Sequence, residues 1–262
     1  MQERMLLLAG IALPSLLMSS AALANHTWGN YHWGRSANPL VLQLGDNVTS
    51  KWDTHLLQAR DDWNVSDVLN TTVVAGKTNP KNCKPVTGRA EVCNSKYGKN
   101  GWLGIAQIWI NGDHITQGVV KLNDTYFNTN KYNTAAWRDL VTYQEVGHIF
   151  GMGHQDENFS NPNLNTCMDY TNLPESNRHP NQHDYDLLAT IYSHLDSINT
   201  SLQSVVNGAG VTRPVDVDWN NPSEWGQNVE GHVFERNLGQ GRKVITDVFW
   251  IEGHKGGLAH TH

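Results

Sequence analysis

The 262-residue chain is short of several things, and each shortage excludes something. It has no basic run: with a formal net charge of −6, no stretch offers nucleic acid a polycationic surface. It has no long apolar run after the N-terminus, so no later segment reads as crossing a bilayer. A glycine-rich phosphate loop, a nucleophile elbow and an internal repeat are all missing. Nucleotide cradles, serine-type acyl transfer and solenoids therefore have no basis here. Charged residues make up only 17%, while ten tryptophans and many Asn and Thr give an extracellular rather than a cytosolic composition.

Arg4, the apolar run 5–18 broken by Pro14, and Ala22-Leu23-Ala24 together have the form of a secretory signal peptide spanning residues 1–24. The mature chain is expected to begin near Asn25, secreted or, in a bacterium, periplasmic. An uncleaved anchor is the alternative. Seven N-x-S/T sequons would accept glycans only in a eukaryotic secretory route. Three cysteines allow one disulfide. Cys83 and Cys93 flank a loop rich in Pro, Gly and Lys and form the expected pair, a short closure stabilising by about 2–3 kcal/mol at best. Cys167 is left over, as a buried apolar group, a group acting on a metal, or a bridge to another chain.

The chemistry of the sequence lies at Thr142-Tyr-Gln-Glu-Val-Gly-His-Ile-Phe-Gly-Met-Gly-His-Gln-Asp156. On a helix Gln144 and His148, four apart, share a face, and Glu145 sits one step round from them. Gly151 lets the chain break away and return His154 to the same point. Further on comes Cys167-Met168-Asp169-Tyr170. Spacing and order resemble the metzincin metallopeptidases, whose H-E-x-x-H-x-x-G-x-x-H signature is followed by a Met-turn. The match covers Glu145, His148, Gly151, His154 and Met168, but the first ligand position holds Gln144.

The resemblance spans about residues 39–200 and carries definite expectations. It implies an α+β domain with a twisted mixed sheet, an active-site helix and a C-terminal helix. It also implies Zn2+ held by His148 and His154 over a Met168 floor, Glu145 as general base, and Tyr170 as a further ligand or transition-state donor. The substrate would be a peptide or protein, cut by a secreted metalloendopeptidase. Gln144 is either a third ligand through its amide oxygen or a neighbour that only fills space, since zinc prefers nitrogen and sulfur. His179 and His183 could substitute for the missing histidine, or could simply belong to a helix entry capped by Asn181 with Asp184. The alternative to an enzyme is a catalytically silent relative that binds proteins through its cleft.

Element patterns fill in the rest. Residues 39–44 and 68–75 read as strands, and Ser50 with Asp53 as a capping box opening a helix through Trp52, Leu56, Ala59 and Trp63. Residues 103–110 and 115–122 form a hairpin around Asn111-Gly112-Asp113. Its first strand is expected to be the sheet edge that would pair with an extended substrate. Thr134 caps the signature helix, and the helix after Asn181 is expected to run on through Leu195 and Ile198. Residues 25–38 form a short aromatic N-terminal segment containing His26 and His32, with Trp28 and Trp33 packing on the domain. Neither His55 nor His114 carries a partner motif. The catalytic domain is expected to close near 204, leaving 205–262 as a connector and a small β-rich appendage whose hairpin is 232–236 with 243–251.

Overall fold

Alternating apolar residues in L-V-L-Q-L-G-D-N build the first long strand. In the computed structural model, which describes residues 26–201, 218 and 220–254, the alternation is obeyed: Leu40, Leu42 and Leu44 are buried while Val41 and Gln43 are exposed. The expected signal segment, nearly all of the connector and the last residues of the tail lie outside the described residues. The strands are β1 (His32–Trp33), β2 (Leu40–Asn47), β3 (Leu69–Ala75), β4 (Ala90–Ser95), β5 (Trp102–Asn111), β6 (His114–Asn123), β7 (Gln227–Glu230), β8 (Val233–Gly239) and β9 (Arg242–Trp250). The helices are α1 (Asp53–Trp63), a single turn α2 (Asp124–Phe127), α3 (Ala135–Ile149) and α4 (Gln182–Ile191).

The fold is α+β, one mixed sheet in the order β3-β2-β4-β6-β5-β9-β8-β7, with β1 pairing beside the start of β6. Strands β3, β2, β4 and β6 are parallel, and β5, β9, β8 and β7 continue antiparallel. Sheet, α1 and α3 share one core, in which Trp63 of α1 donates its indole N–H to the Tyr143 carbonyl of α3 at 3.1 Å. Almost every residue of α3 is buried, Gln144, Glu145 and His148 at 0% exposure, so the signature helix runs through the interior.

Local signals account for most boundaries. The Thr134 hydroxyl accepts from Trp137 N–H and starts α3, while Asn181 and Asp184 form a reciprocal capping box at α4. The Ser50–Asp53 box does not form. The helix N-cap is Trp52, with no side-chain bond, because a backbone turn from Thr49 to Trp52 already sets the entry. Nor does α4 reach Leu195 and Ile198, which are 55% and 48% exposed. After Tyr192 the chain leaves the helix to hydrogen-bond the N-terminal segment, Asp196 N–H to Arg35 O at 2.8 Å and Thr200 N–H to Gly34 O at 2.9 Å. The Cys83–Cys93 disulfide is present, with Cα atoms 6.0 Å apart, and Cys167 is free and buried.

One expectation is reversed. Strand β5 is no edge: β6 pairs with one side of it and β9 with the other, from Trp102↔Trp250 to Asn111↔Arg242. The C-terminal hairpin thus packs on the main sheet, Ile245 and Phe249 in the principal core and Val248 and Trp250 in a second cluster with Trp102, Ile105, Trp225 and Phe234.

A buried ion pair ties α3 to the chain leading into α4. Asp139 accepts from His55 at 2.5 Å and from Arg178 Nε and Nη2 at 2.8 and 2.6 Å. Burial would raise the Asp139 carboxyl, but these donors outweigh it and hold the group below its ordinary value. Its contribution is therefore present above the ordinary carboxylate range and is lost as pH falls through the lowered folded value. Because Arg178 is one-third exposed, Arg178→Ala is expected to cost about 1–3 kcal/mol at pH 7 and less near pH 3, measured by urea unfolding at both pH values.

Candidate metal centre

Helix α3 delivers the first donor. His148 Nδ1 donates to the Met152 carbonyl at 2.7 Å, which leaves Nε2 as the lone-pair nitrogen. The chain then breaks at Gly151, whose φ of 91° is left-handed and whose missing Cβ makes room for the Tyr31 carbonyl. This turn brings His154 back, with Nε2 3.0 Å from His148 Nε2 and ring centroids 4.6 Å apart. The two histidines expected at one point do meet there.

The third member comes from β9. Asp247 places one carboxylate oxygen 3.9 Å from His148 Nε2 and the other 3.9 Å from His154 Nε2. His232, just before β8, lies 3.7 Å from Asp247 and 3.3 Å from Glu157. Among the described residues these side chains make two overlapping donor sets, His148/His154/Asp247 and His154/Glu157/His232. A tetrahedral zinc with bonds of about 2.0–2.1 Å spaces its donors about 3.3 Å apart, a value the 3.0 and 3.9 Å separations bracket.

Four buried residues also have polar atoms without a hydrogen-bond partner among the described residues: Glu145 (both oxygens), Gln144 Oε1, His154 Nδ1 and Asp247 Oδ1. Unpaired buried acceptors are costly, and a cation among them would offset that cost, so the donors fit a divalent metal. Burial pushes His148 down to about 4 and His154 well below its ordinary value, keeping both imidazoles neutral and able to ligate. Burial pushes Asp247 up to about 7 and Glu145 well above the carboxylate range, the charge of Asp247 adding to the latter.

The other expected residues gather round. Gln144 Nε2 donates to the Cys167 carbonyl at 2.7 Å, tying the helix to the turn that carries Met168. Met168 is fully buried, and a Cβ on Gly147 would come within 2.8 Å of its sulfur, so thioether and helix are in close contact beside His148. Tyr170 lies with its ring 4.4 Å from that of His154, and its hydroxyl donates to the Val248 carbonyl of β9 at 3.3 Å. Glu145 packs toward Gly104 of β5, where a Cβ would overlap Glu145 Oε1 and sit 2.6 Å from Val141. Gly104→Ala is therefore expected to displace the Glu145 carboxyl and cost about 1–3 kcal/mol, measured by thermal unfolding.

His179 pairs with Asp62, and His183 packs on His26 at 5.0 Å, so neither reaches His148. Trp28 and Trp33 are buried against the domain as expected, Trp28 with its ring 5.5 Å from that of His148. Asp247 and His232 went unnoticed in the sequence. The available signal was an acidic residue inside the mostly apolar stretch V-I-T-D-V-F-W.

The sequence matches no known family profile and no curated protein. Among solved structures the chain is similar to myroilysin, with TM-score 0.38 and 12% identity over 64% of this chain and 84% of that one. It is also similar to high choriolytic enzyme 1, a hatching enzyme zinc-protease from the medaka fish Oryzias latipes, with TM-score 0.34 and 12% identity over 62% of this chain and 94% of that one.

Proposed function

We propose that the chain is a zinc metalloendopeptidase folded in a latent form, with its C-terminal hairpin lying where an extended substrate would lie. The observation that carries this reading is the meeting of His148, His154 and Asp247 in one buried site, with the unpaired Glu145 carboxyl packed against β5, the strand whose other side is taken by β9.

A zinc ion held by His148 and His154 would supply Lewis acidity, acidifying water toward a pKa of ~7 and polarising a carbonyl. Glu145 takes the proton of the attacking water and delivers it to the leaving amine. The Tyr170 hydroxyl, once released from Val248, can donate to the developing oxyanion. Strand β5 offers its main chain to a substrate when β9 is away, giving sequence-independent affinity. In the latent form Asp247 would be the third donor; in the open form Gln144, whose Oε1 has no hydrogen-bond partner among the described residues, would be the α3 residue to take its place. The expected signal segment and the Cys83–Cys93 bridge are consistent with a secreted enzyme.

The second reading, a silent protein, draws on the same hairpin and on Gln144, whose amide nitrogen is committed to Cys167. Loosening the hairpin separates the two. Trp225 is fully buried in the outer cluster, away from the metal donors, and Trp225→Ala should cost about 3–5 kcal/mol of packing. The open population then rises by ~10²-fold or more. Casein hydrolysis by this variant is expected to exceed that of the mature wild-type chain and to vanish with a chelator. A zinc-loaded variant that melts earlier yet cleaves nothing would favour the silent protein.

A further inference from the structure

A second cluster of donors lies away from the candidate metal centre. His32 sits on β1, His114 opens β6, and His194 and Asp196 follow α4. Asp196 Oδ1 is 3.4 Å from His32 Nε2, 3.1 Å from His114 Nε2 and 3.5 Å from His194 Nε2, while His194 Nε2 is 3.2 Å from His32 Nε2. These are four of the six separations among the four donors, and His32, His114 and Asp196 form a mutually close set that His194 joins through His32 and Asp196. Each of the four separations lies close to the spacing of about 3.3 Å that zinc bonds of 2.0–2.1 Å impose.

The backbone fixes this meeting. His32 and His114 are register partners in the β1–β6 pairing, His32 N–H donates to Asp113 O at 3.1 Å, and Asp196 N–H donates to Arg35 O at 2.8 Å. The outer hydrogen bonds are those that ligating groups need. His32 Nδ1 donates to the Asn30 carbonyl at 2.7 Å, so a neutral His32 presents a lone pair, not a proton, to Asp196 and His194. The other Asp196 oxygen accepts from Arg35 N–H at 3.0 Å. An imidazole lone pair facing a carboxylate oxygen inside the fold, with His32 6% exposed, calls for a cation between them. An entry path exists, since His194 is half exposed and the adjoining cleft is lined by Tyr31, His32, Asp113 and His194.

We infer that His32, His114, His194 and Asp196 form a second transition-metal site, fitted to Zn2+, that clamps the N-terminal segment and the exit of α4 onto the β5–β6 turn. Three nitrogens and one oxygen suit zinc better than calcium or magnesium, which require more oxygen donors. The four ligands come from three distant parts of the chain, so metal binding here stabilises the fold instead of performing chemistry. The inference does not depend on the peptidase reading.

The test is zinc stoichiometry by equilibrium dialysis and elemental analysis on the mature chain. The His26→Ala/His148→Ala/His154→Ala variant, which among the described residues breaks the other three donor sets and leaves this one intact, is expected to keep about one Zn2+ per chain and, with Co2+, to give the intense visible spectrum of a tetrahedral site. In the wild-type background His194→Ala, an exposed position, is expected to weaken one zinc by at least about tenfold and to shrink the zinc-induced rise in melting temperature. Unchanged stoichiometry and unchanged zinc-dependent melting in His194→Ala would overturn the site. So would a wild-type chain whose only zinc is lost with His148.

Discussion

Glu145→Gln is expected to lower peptide hydrolysis by about 10²- to 10⁴-fold while leaving zinc content unchanged. The amide has nearly the shape of the carboxyl it replaces, so the packing against Gly104 and Val141 is preserved. It cannot take a proton from water, and the step assigned to this residue disappears. Zinc stays because Glu145 lies outside both donor sets. Stability should be held or raised, since both carboxyl oxygens are buried without hydrogen-bond partners and the charge of Asp247 bears on them. The measurement belongs in the Trp225→Ala background, where the hairpin is loosened, with casein as substrate and elemental analysis on the same sample. Full activity in the double variant would remove Glu145 from the mechanism, and loss of zinc along with activity would make it a ligand instead of a base.

How much of this was legible in the sequence depends on how local each signal is. Thr134, the apolar stripe through Trp137, Leu140 and Val141, and the Gly151 break lie within one short stretch, and helix and return are as read. The capping box at Asn181 was legible for the same reason, and so was the Asn111-Gly112-Asp113 hairpin. Strand β4 was missed because A-E-V-C-N-S has no alternation. Its polar members Glu91 and Asn94 are buried and paired from elsewhere, Glu91 by an ion pair to Arg89 at 2.8 Å and by the Asn47 amide at 2.5 Å. The hairpin itself was found, but its place was not, because nothing in residues 233–250 encodes which strand β9 will join. That depends on β5 having a free side, more than 130 residues away. Asp247 and the His32 cluster share this difficulty, being donors assembled by tertiary pairing without a spacing motif.

Asp247→Ala is expected to have opposite effects on stability with and without metal. With zinc bound, the substitution removes the only anionic member of the His148/His154 set, and affinity at that site should fall by about 10²-fold, near 2.7 kcal/mol. Without zinc the balance reverses. Asp247 is almost fully buried, its Oδ1 has no hydrogen-bond partner, and its histidine neighbours are kept neutral by burial. Deleting an uncompensated buried carboxylate removes a desolvation cost, so the metal-free variant should melt above metal-free wild type, by about 2–4 °C for each kcal/mol recovered. Scanning calorimetry with chelator and with excess zinc reads both signs. Adding Gln144→His tests where the ligand set can be rebuilt. A third nitrogen on the same face of α3 should recover at least about tenfold of the lost affinity, because zinc prefers imidazole to an amide oxygen. If Asp247→Ala binds zinc as wild type does, β9 contributes no ligand, and the hairpin covers the site by packing alone. If Gln144→His recovers nothing, residue 144 stays turned toward the Cys167 carbonyl, and the open enzyme must draw its third donor from elsewhere, with Tyr170 next in reach of His154.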